Sequence, residues 1–286
     1  MDGGLDSFNM IVPHSNCAGG VDMYTQYKEV RGETLALSKD TLKQITTATG
    51  SQVCDTWGIH PSLPFMQQLY NEGDASFVAN IGSLIEPLTM EEYKLGEKSI
   101  PTQLFSHNAQ TKQAQSVHPQ YTASKGVLGR MVDALKTQVN PYRSSAFSLA
   151  GNVKSVEGSE AATMIDKRNG ITRFTGTADV GAKYKEIAQR RSASVFGDTW
   201  GMVLDTALEM TETLGDLLDG AAIATDFDDT EQLAMQLKQV ARLISQRDVT
   251  GAEREVYAVQ LGGFDTHADE EGDLAASTTS NPLLRQ

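Results

Sequence analysis

The sequence predicts an α/β fold with a parallel sheet, and three observations carry that prediction. Leu63 to Tyr70 reads as a short helix stopped near Gly73, and Ala75 to Gly82 follows as an apolar strand ending in glycine. A second unit of the same kind closes the chain's ordered part. A helix beginning after Asp228 leads through a short polar turn to the apolar run Val256 to Leu261. A third short strand reads at Phe147 to Gly151. Helix followed by strand, repeated, is the unit from which parallel sheets are built.

The elements between these units follow from local signals. Phe8 to Val12 is a short apolar stretch that Pro13 ends, and Asp22 to Arg31 is a candidate helix. Leu104 to Ala109 opens a polar helical stretch that runs to about Ser116, with Ser106 in the place of an N-cap. Val127 to Val139 places Leu128, Met131, Val132 and Leu135 at helical spacing. Val153 to Gly181 is mixed, with extended pieces. A helix is predicted from about Asp179 to Phe196, and another from near Asp198. The latter carries Val203, Ala207, Met210, Leu214 and Leu217 at spacings of four and three, read as its core-facing stripe. The helix after Asp228 has Glu231 in the pattern of a capping box and puts Leu233, Leu237, Val240 and Ile244 on one face. Repeats and linkers are not visible, so one domain over residues 1–286 is the simplest organisation. Residues 268–286 are polar and rich in small side chains, as a fraying tail is.

Composition narrows the function classes. A net charge of -13 disfavours a nucleic-acid backbone as partner, since that surface is recognised by basic residues. The same charge suits cation binding or simply an acidic soluble surface. No apolar run is long enough to span a bilayer, and the first six residues lack the pattern of a signal peptide. The two cysteines, Cys17 and Cys54, permit one disulfide or two free thiols. A disulfide would place the chain in an oxidising, extracytoplasmic or secretory compartment.

The chemistry concentrates in a few runs. Gly262-Gly263-Phe264-Asp265-Thr266-His267 follows the Val256–Leu261 strand, at the strand end where α/β proteins place functional groups. Asp265 and His267 offer a carboxylate oxygen and an imidazole nitrogen, a donor pair suited to a divalent metal. Gly3-Gly4-Leu5-Asp6 repeats the Gly-Gly-x-Asp form, so Asp6 is a second candidate metal carboxylate, or else a turn residue. Ser106-His107 sits at a helix start, where Ser106 serves as a cap or as a hydroxyl nucleophile next to an anion-stabilising helix end. His14, His60 and His118 lie near prolines in loops and read as surface or supporting histidines.

Taken in order, Gly3 to Asn9 with Val12-Pro13, His60-Pro61-Ser62-Leu63, Phe77 to Gly82, Ser106-His107, Ser148-Leu149-Ala150-Gly151-Asn152, Gln232 to Leu237 and Gly262 to His267 resemble the domain of unknown function 1501 family. That family is a branch of the alkaline-phosphatase-like superfamily that includes sulfatases. The resemblance implies a three-layer α/β/α sandwich with a mostly parallel central sheet and a site at the strand carboxyl ends. It implies a metal-dependent hydrolase of phosphate or sulfate esters. The cofactor is a divalent metal (zinc, calcium, magnesium or manganese), and the partner is an anionic small-molecule ester. By similarity Ser106 is the nucleophile candidate, and Asp6, Asp265 and His267 are the metal ligands; His107, next to Ser106, is the second catalytic candidate. The family has a strand ahead of the first Gly-Gly and an Asp-His-Gly motif well beyond the Asp-x-His run. The chain therefore reads as a section of that domain, incomplete at both ends, whose unpaired sheet edges would favour oligomers. The alternative function is a non-catalytic metal- or ligand-binding protein of the same ancestry.

Overall fold

A computed structural model describes residues 8–79, 81–104, 106–121, 123–171, 177–190 and 194–262. The chain divides into two compact units, residues 1–82 with 262–286 and residues 83–261. Neither boundary carries a linker-like composition, which is why the sequence offers none.

The first unit is built on an antiparallel sheet. Strand β1 (Ile11–Cys17) leads to helix α1 (Met23–Arg31), then to β2 (Lys43–Thr46), β3 (Cys54–Ile59) and helix α2 (Pro64–Glu72). The sheet order is β1-β3-β2, so β3 is central. Pro13 does not end the first strand, as the sequence predicts, but lies within it. β1 is an edge, and its register shifts between Pro13 and Ser15. Edges and irregularities are where a strand tolerates a residue with no N–H. Asp22 caps α1 by accepting from Thr25 N at 3.1 Å. Pro64 opens α2, and Gly73 closes it in the left-handed conformation at φ 85°.

Val12, Tyr27 and Leu42 form one buried cluster, and Ile45, Ile59 and Leu63 form another, joined by Trp57, Met66, Tyr70 and Phe77. Gly58 lets Leu42 press onto β3: a Cβ there would lie 2.7 Å from the Leu42 side chain. A buried polar relay pins the loops. Tyr27 OH donates to Asn9 Oδ1 at 2.6 Å, Asn9 Nδ2 donates to Leu35 O at 2.9 Å, and Leu37 N donates to Tyr27 OH at 2.9 Å. The predicted strand at Ala75–Gly82 is not formed in the described residues 75–79 and 81–82. Phe77 packs beside Tyr70 at 5.9 Å, but Val78 and Ile81 stay exposed. A parallel strand is held by the neighbours it hydrogen-bonds, and an apolar run by itself specifies none.

The second unit contains α3 (Met90–Leu95), α4 (His107–Ser116), α5 (Val127–Lys136), β4 (Ser144–Ser148), β5 (Thr163–Met164), α6 (Thr177–Ala188), α7 (Val195–Asp219), α8 (Gln232–Ser245), α9 (Arg247–Thr250) and β6 (Arg254–Ala258). Its sheet is parallel, in the order β5-β4-β6. A mixed α/β architecture with a parallel sheet is therefore observed, as the helix–strand units predict. Phe147, Leu149, Ile165, Ile171, Leu218 and Leu243 form the core between sheet and helices, with Tyr257 stacked on Phe147 at 5.6 Å.

Two helices present faces that match the predicted stripes only in part: Leu214 of α7 and Val240 of α8 pack against the core, but other stripe residues do not. In α7 the buried residues are Gly201, Leu208, Gly215 and Leu218, whereas Val203 is 64% and Met210 45% exposed. Gly201 explains the rotation. A Cβ at that position would meet Ala188 O at 2.4 Å, so the glycine face is what allows α6 and α7 to approach. The Val203–Met210 stripe instead lines a cleft of about 780 Å³ with Val132 and Val156.

Cys17 and Cys54 form a disulfide between directly paired residues of β1 and β3. The bridge closes a sequence separation of 37 residues, which holds α1 and β2. Restricting the unfolded chain over that separation is worth about 4 kcal/mol in the chain-entropy model. In a Trp200→Phe background, which leaves Trp57 as the single tryptophan, the double substitution Cys17→Ser with Cys54→Ser is expected to lower the urea midpoint of Trp57 fluorescence accordingly. An unchanged midpoint would show that the bridge contributes nothing.

Candidate functional site at the carboxyl end of the parallel sheet

Backbone groups leaving a sheet must find new partners, and those at the carboxyl ends of β5 and β6 find side-chain amides. At the centre, Leu149 N donates to Ala258 O at 2.9 Å, and Ile165 N donates to Ser148 O at 2.8 Å. The Ser148 side chain is buried, and its hydroxyl donates to Gly151 O at 2.5 Å. Gly151 takes a φ of 73° to make that turn.

Helix α8 holds the two flanking exits. Gln236, only 3% exposed, donates from Nε2 to Gln260 O at 2.9 Å and accepts from Gln260 N at 2.9 Å. The side-chain amide thus replaces the neighbouring strand that the backbone has just left. One turn further on, Gln239 Nε2 donates to Lys167 O at 3.3 Å, and Lys167 Nζ donates to Gln232 Oε1 at 2.9 Å. Lys167 belongs to the turn after β5, closed by the reciprocal Asp166–Gly170 backbone pair at 2.6 and 2.9 Å. Arg242 completes the row, donating from Nη1 to Gln239 Oε1 at 3.0 Å and from Nη2 to Leu218 O.

This row corrects part of the face predicted for α8, of which Val240 does pack against the core. Its buried residues are Ala234, Met235, Gln236, Gln239 and Leu243, while Leu237 and Ile244 are exposed. The N-cap is Glu231 rather than Asp228. Asp228 instead accepts from Thr230 N and Oγ1 at 2.8 and 2.6 Å, an Asx turn that leads into the helix. Those bonds hold its carboxyl below the usual range, the Thr230 hydroxyl contributing most.

Of the predicted site residues, the structure describes Ser106 and His107. They stand side by side at the start of α4, with Ser106 at the N-cap position and Ser106 O accepting from Gln110 N at 2.9 Å. The Ser106 side chain makes no capping bond. The hydroxyl is therefore not committed to the role that most often explains a serine at this place. At its other end, α4 is joined to the loop after β4, where Gln115 Oε1 accepts from Ser155 N at 3.1 Å. Asp6, Asp265 and His267 lie outside the described residues, as does the 268–286 tail, and Gly262 is the last residue described. Among the described residues no group of three or more His, Cys, Asp or Glu is placed to hold a metal. The donor types of Asp6, Asp265 and His267 fit a divalent cation on their own chemistry.

The remaining histidines have supporting roles. His60 Nδ1 accepts from Ser62 N at 3.1 Å, and His14 is lowered in pKa by burial and by Lys39. His118 meets the Tyr121 ring edge-on at 6.0 Å. No described helix is long and apolar enough to cross a membrane.

Gln236→Leu keeps the volume and removes both bonds to Gln260, at a cost of about 1–3 kcal/mol for leaving a buried N–H and C=O unpaired. Amide exchange at Gln260 is expected to accelerate at least about tenfold. Unchanged exchange would mean that Gln236 is not what holds this exit.

Neither a curated protein nor a solved structure matches the chain. The family model described as "Protein of unknown function (DUF1501)" matches residues 1–281. Spanning nearly the whole chain, from the Gly3–Asn9 run through the α8 amide row to the Gly262–His267 run, that match makes this chain a member of the DUF1501 family.

Proposed function

We propose that this chain is a metal-dependent hydrolase of phosphate or sulfate esters, of the alkaline-phosphatase-like three-layer α/β/α type. The observation that carries this reading is the Gln236 clamp on Gln260. It fixes the exit of a parallel strand immediately ahead of the run that bears Asp265 and His267. Asp265 is four residues beyond Leu261, so it lies within about 14 Å of that exit whatever path the chain takes. Residues placed beyond the carboxyl ends of parallel strands are the ones α/β enzymes use.

In this proposal Asp6, Asp265 and His267 hold a divalent cation. The bound cation would supply charge neutralisation for the ester oxygens and a lowered pKa for the attacking hydroxyl. Ser106 is assigned as the hydroxyl nucleophile, a role that rests on the family resemblance, with His107 beside it as the second catalytic candidate. The uncapped Ser106 hydroxyl is consistent with that assignment. Backbone N–H groups of the first turn of α4 are oriented to favour the negative charge of an ester anion near Ser106. The disulfide is consistent with an oxidising compartment.

The test is hydrolysis of p-nitrophenyl phosphate and p-nitrophenyl sulfate by the full chain, with Zn²⁺, Mn²⁺, Ca²⁺ and Mg²⁺ in turn. Activity is expected to vanish with a chelator and to fall roughly 10³-fold or more in Ser106→Ala. The His267→Ala protein is expected to lose bound metal. Metal bound without turnover would support the non-catalytic binding reading instead. Activity indifferent to the chelator and to Ser106→Ala would overturn the hydrolase.

A further inference from the structure

Helix α7 carries a pattern that the core of the second unit does not use up. Phe196, Trp200, Val203, Ala207 and Met210 follow one another at spacings of four, three, four and three, and Leu214 and Leu217 continue the series. A period of about 3.5 residues makes the seam of a helix that pairs lengthwise with another helix. Leu214, near the carboxyl end of the seam, packs on the core. Further back, Phe196 is 88%, Trp200 62%, Val203 64% and Met210 45% exposed. With Val195 and Met202 beside them, these side chains expose on the order of 800 Å², about what each partner of a standard interface buries. Monomers seldom leave so large an apolar patch open.

The charges of α7 decide what kind of partner fits. The helix contains acidic residues and no basic one. Asp198, Asp205 and Glu212 recur every seven residues, on the side away from the seam. Helix α6 lies on that side. Lys185 Nζ meets Glu212 at 3.5 Å, and Gln189 Nε2 donates to Asp205 Oδ2 at 3.3 Å. Next to the seam stand Gly197, Thr199, Leu204 and Thr206, none of them charged. In a helix pair these flanking positions choose the partner by charge. Here they offer a basic helix nothing to pair with, and an identical helix nothing to repel.

The seam is also complementary to itself in size. Ala207, its smallest residue, lines the cleft of about 780 Å³ together with Val132, Val156 and Met210. Setting two α7 helices antiparallel, with alternate seam positions facing each other, puts Phe196 against the partner's Ala207 and Trp200 against the partner's Val203. Large against small is how facing helix layers interdigitate. Each contact occurs twice, about a two-fold axis midway along residues 196–207, so the pair closes on itself and leaves no open end. We infer that this face is the interface of a homodimer, in which two copies pair antiparallel through α7 and each inserts Phe196 into the cleft beside the partner's Ala207. The interface depends neither on a metal nor on the hydrolase.

The experiment is sedimentation velocity of the full chain, joined to cross-linking of single-site variants. The wild type is expected to sediment as a dimer at about 50 µM, within the range that such an area supports. Trp200→Asp, a change at an exposed residue of the single chain, is expected to raise the dimer dissociation constant at least about thirtyfold with an unchanged circular dichroism spectrum. The two native cysteines are bonded to each other, so introduced thiols report the pairing. An oxidised mixture of Phe196→Cys and Ala207→Cys chains is expected to give a covalent heterodimer, with neither variant linking to itself. Three results would each overturn the proposal. One is a wild type that stays monomeric at that concentration. Another is a Trp200→Asp dimer of undiminished strength, as pairing through a sheet edge would give. The third is self-linking of Phe196→Cys in place of the mixed product, as a parallel pair would give.

Discussion

The paired hydrogen bonds between the Gln236 amide and the Gln260 backbone are the constraint on which the arrangement at the sheet's carboxyl end depends. β6 is an edge of the described parallel sheet, so past Ala258 its backbone would otherwise turn to water. A primary amide carries the same donor and acceptor as a peptide bond, and Gln236 uses both. Gln239 does the corresponding work on the turn after β5, and Arg242 holds Gln239 in place. One face of one helix thereby fixes both strands that flank β4. Buried polar groups are tolerated in such positions when they are bonded, and both Gln236 and Gln239 are bonded at the amide nitrogen and at the oxygen.

The first unit solves a different problem by covalent means. Its three-stranded sheet has two edges, and β1 is interrupted by a proline and a register shift. Such a strand is weakly held by its ladder alone. The Cys17–Cys54 bridge anchors its far end to the central strand. The Asn9–Tyr27 relay anchors the residues ahead of it to the Leu35–Leu37 loop. Asn9 closes the Gly3–Asn9 run that contributes to the family resemblance, and its burial gives that position a structural reason.

Much of this was legible from the residues, and the failures share a cause. The helix after Asp22, its neighbour's stop at Gly73 and the Val127 helix are legible because helix starts and stops are local chemistry, whereas Ser106 holds the N-cap position without the capping bond expected of it. The α7 and α8 faces are legible only in part, because Leu214 and Val240 do reach the core but the most apolar stripe is not the most buried one. In α7 the decisive residue is a glycine whose value lies in close approach to another helix. In α8 it is a pair of glutamines that the strand exits require. Gln236 and Gln239, three apart between apolar residues, are the available signal, and Gln236 falls inside the Gln232–Leu237 run that carries the resemblance. The 75–82 segment shows the same limit, since a strand's partner is not encoded in the strand. At the site, the Ser106-His107 pair is found at a helix start as read. Asp6, Asp265 and His267 keep only what their sequence positions give them.

The function proposed for this chain turns on a cation held close to the exit of β6. Paramagnetic broadening by Mn²⁺ on the ¹⁵N-labelled full chain reads its position. Substoichiometric Mn²⁺ is expected to broaden the amides of Gln260, Leu261 and Gly262 and the Gln236 side chain. Arg254, at the opposite end of β6, is expected to remain sharp, and His267→Ala to remove the effect. Broadening centred on another part of the chain, or unchanged by His267→Ala, would contradict it.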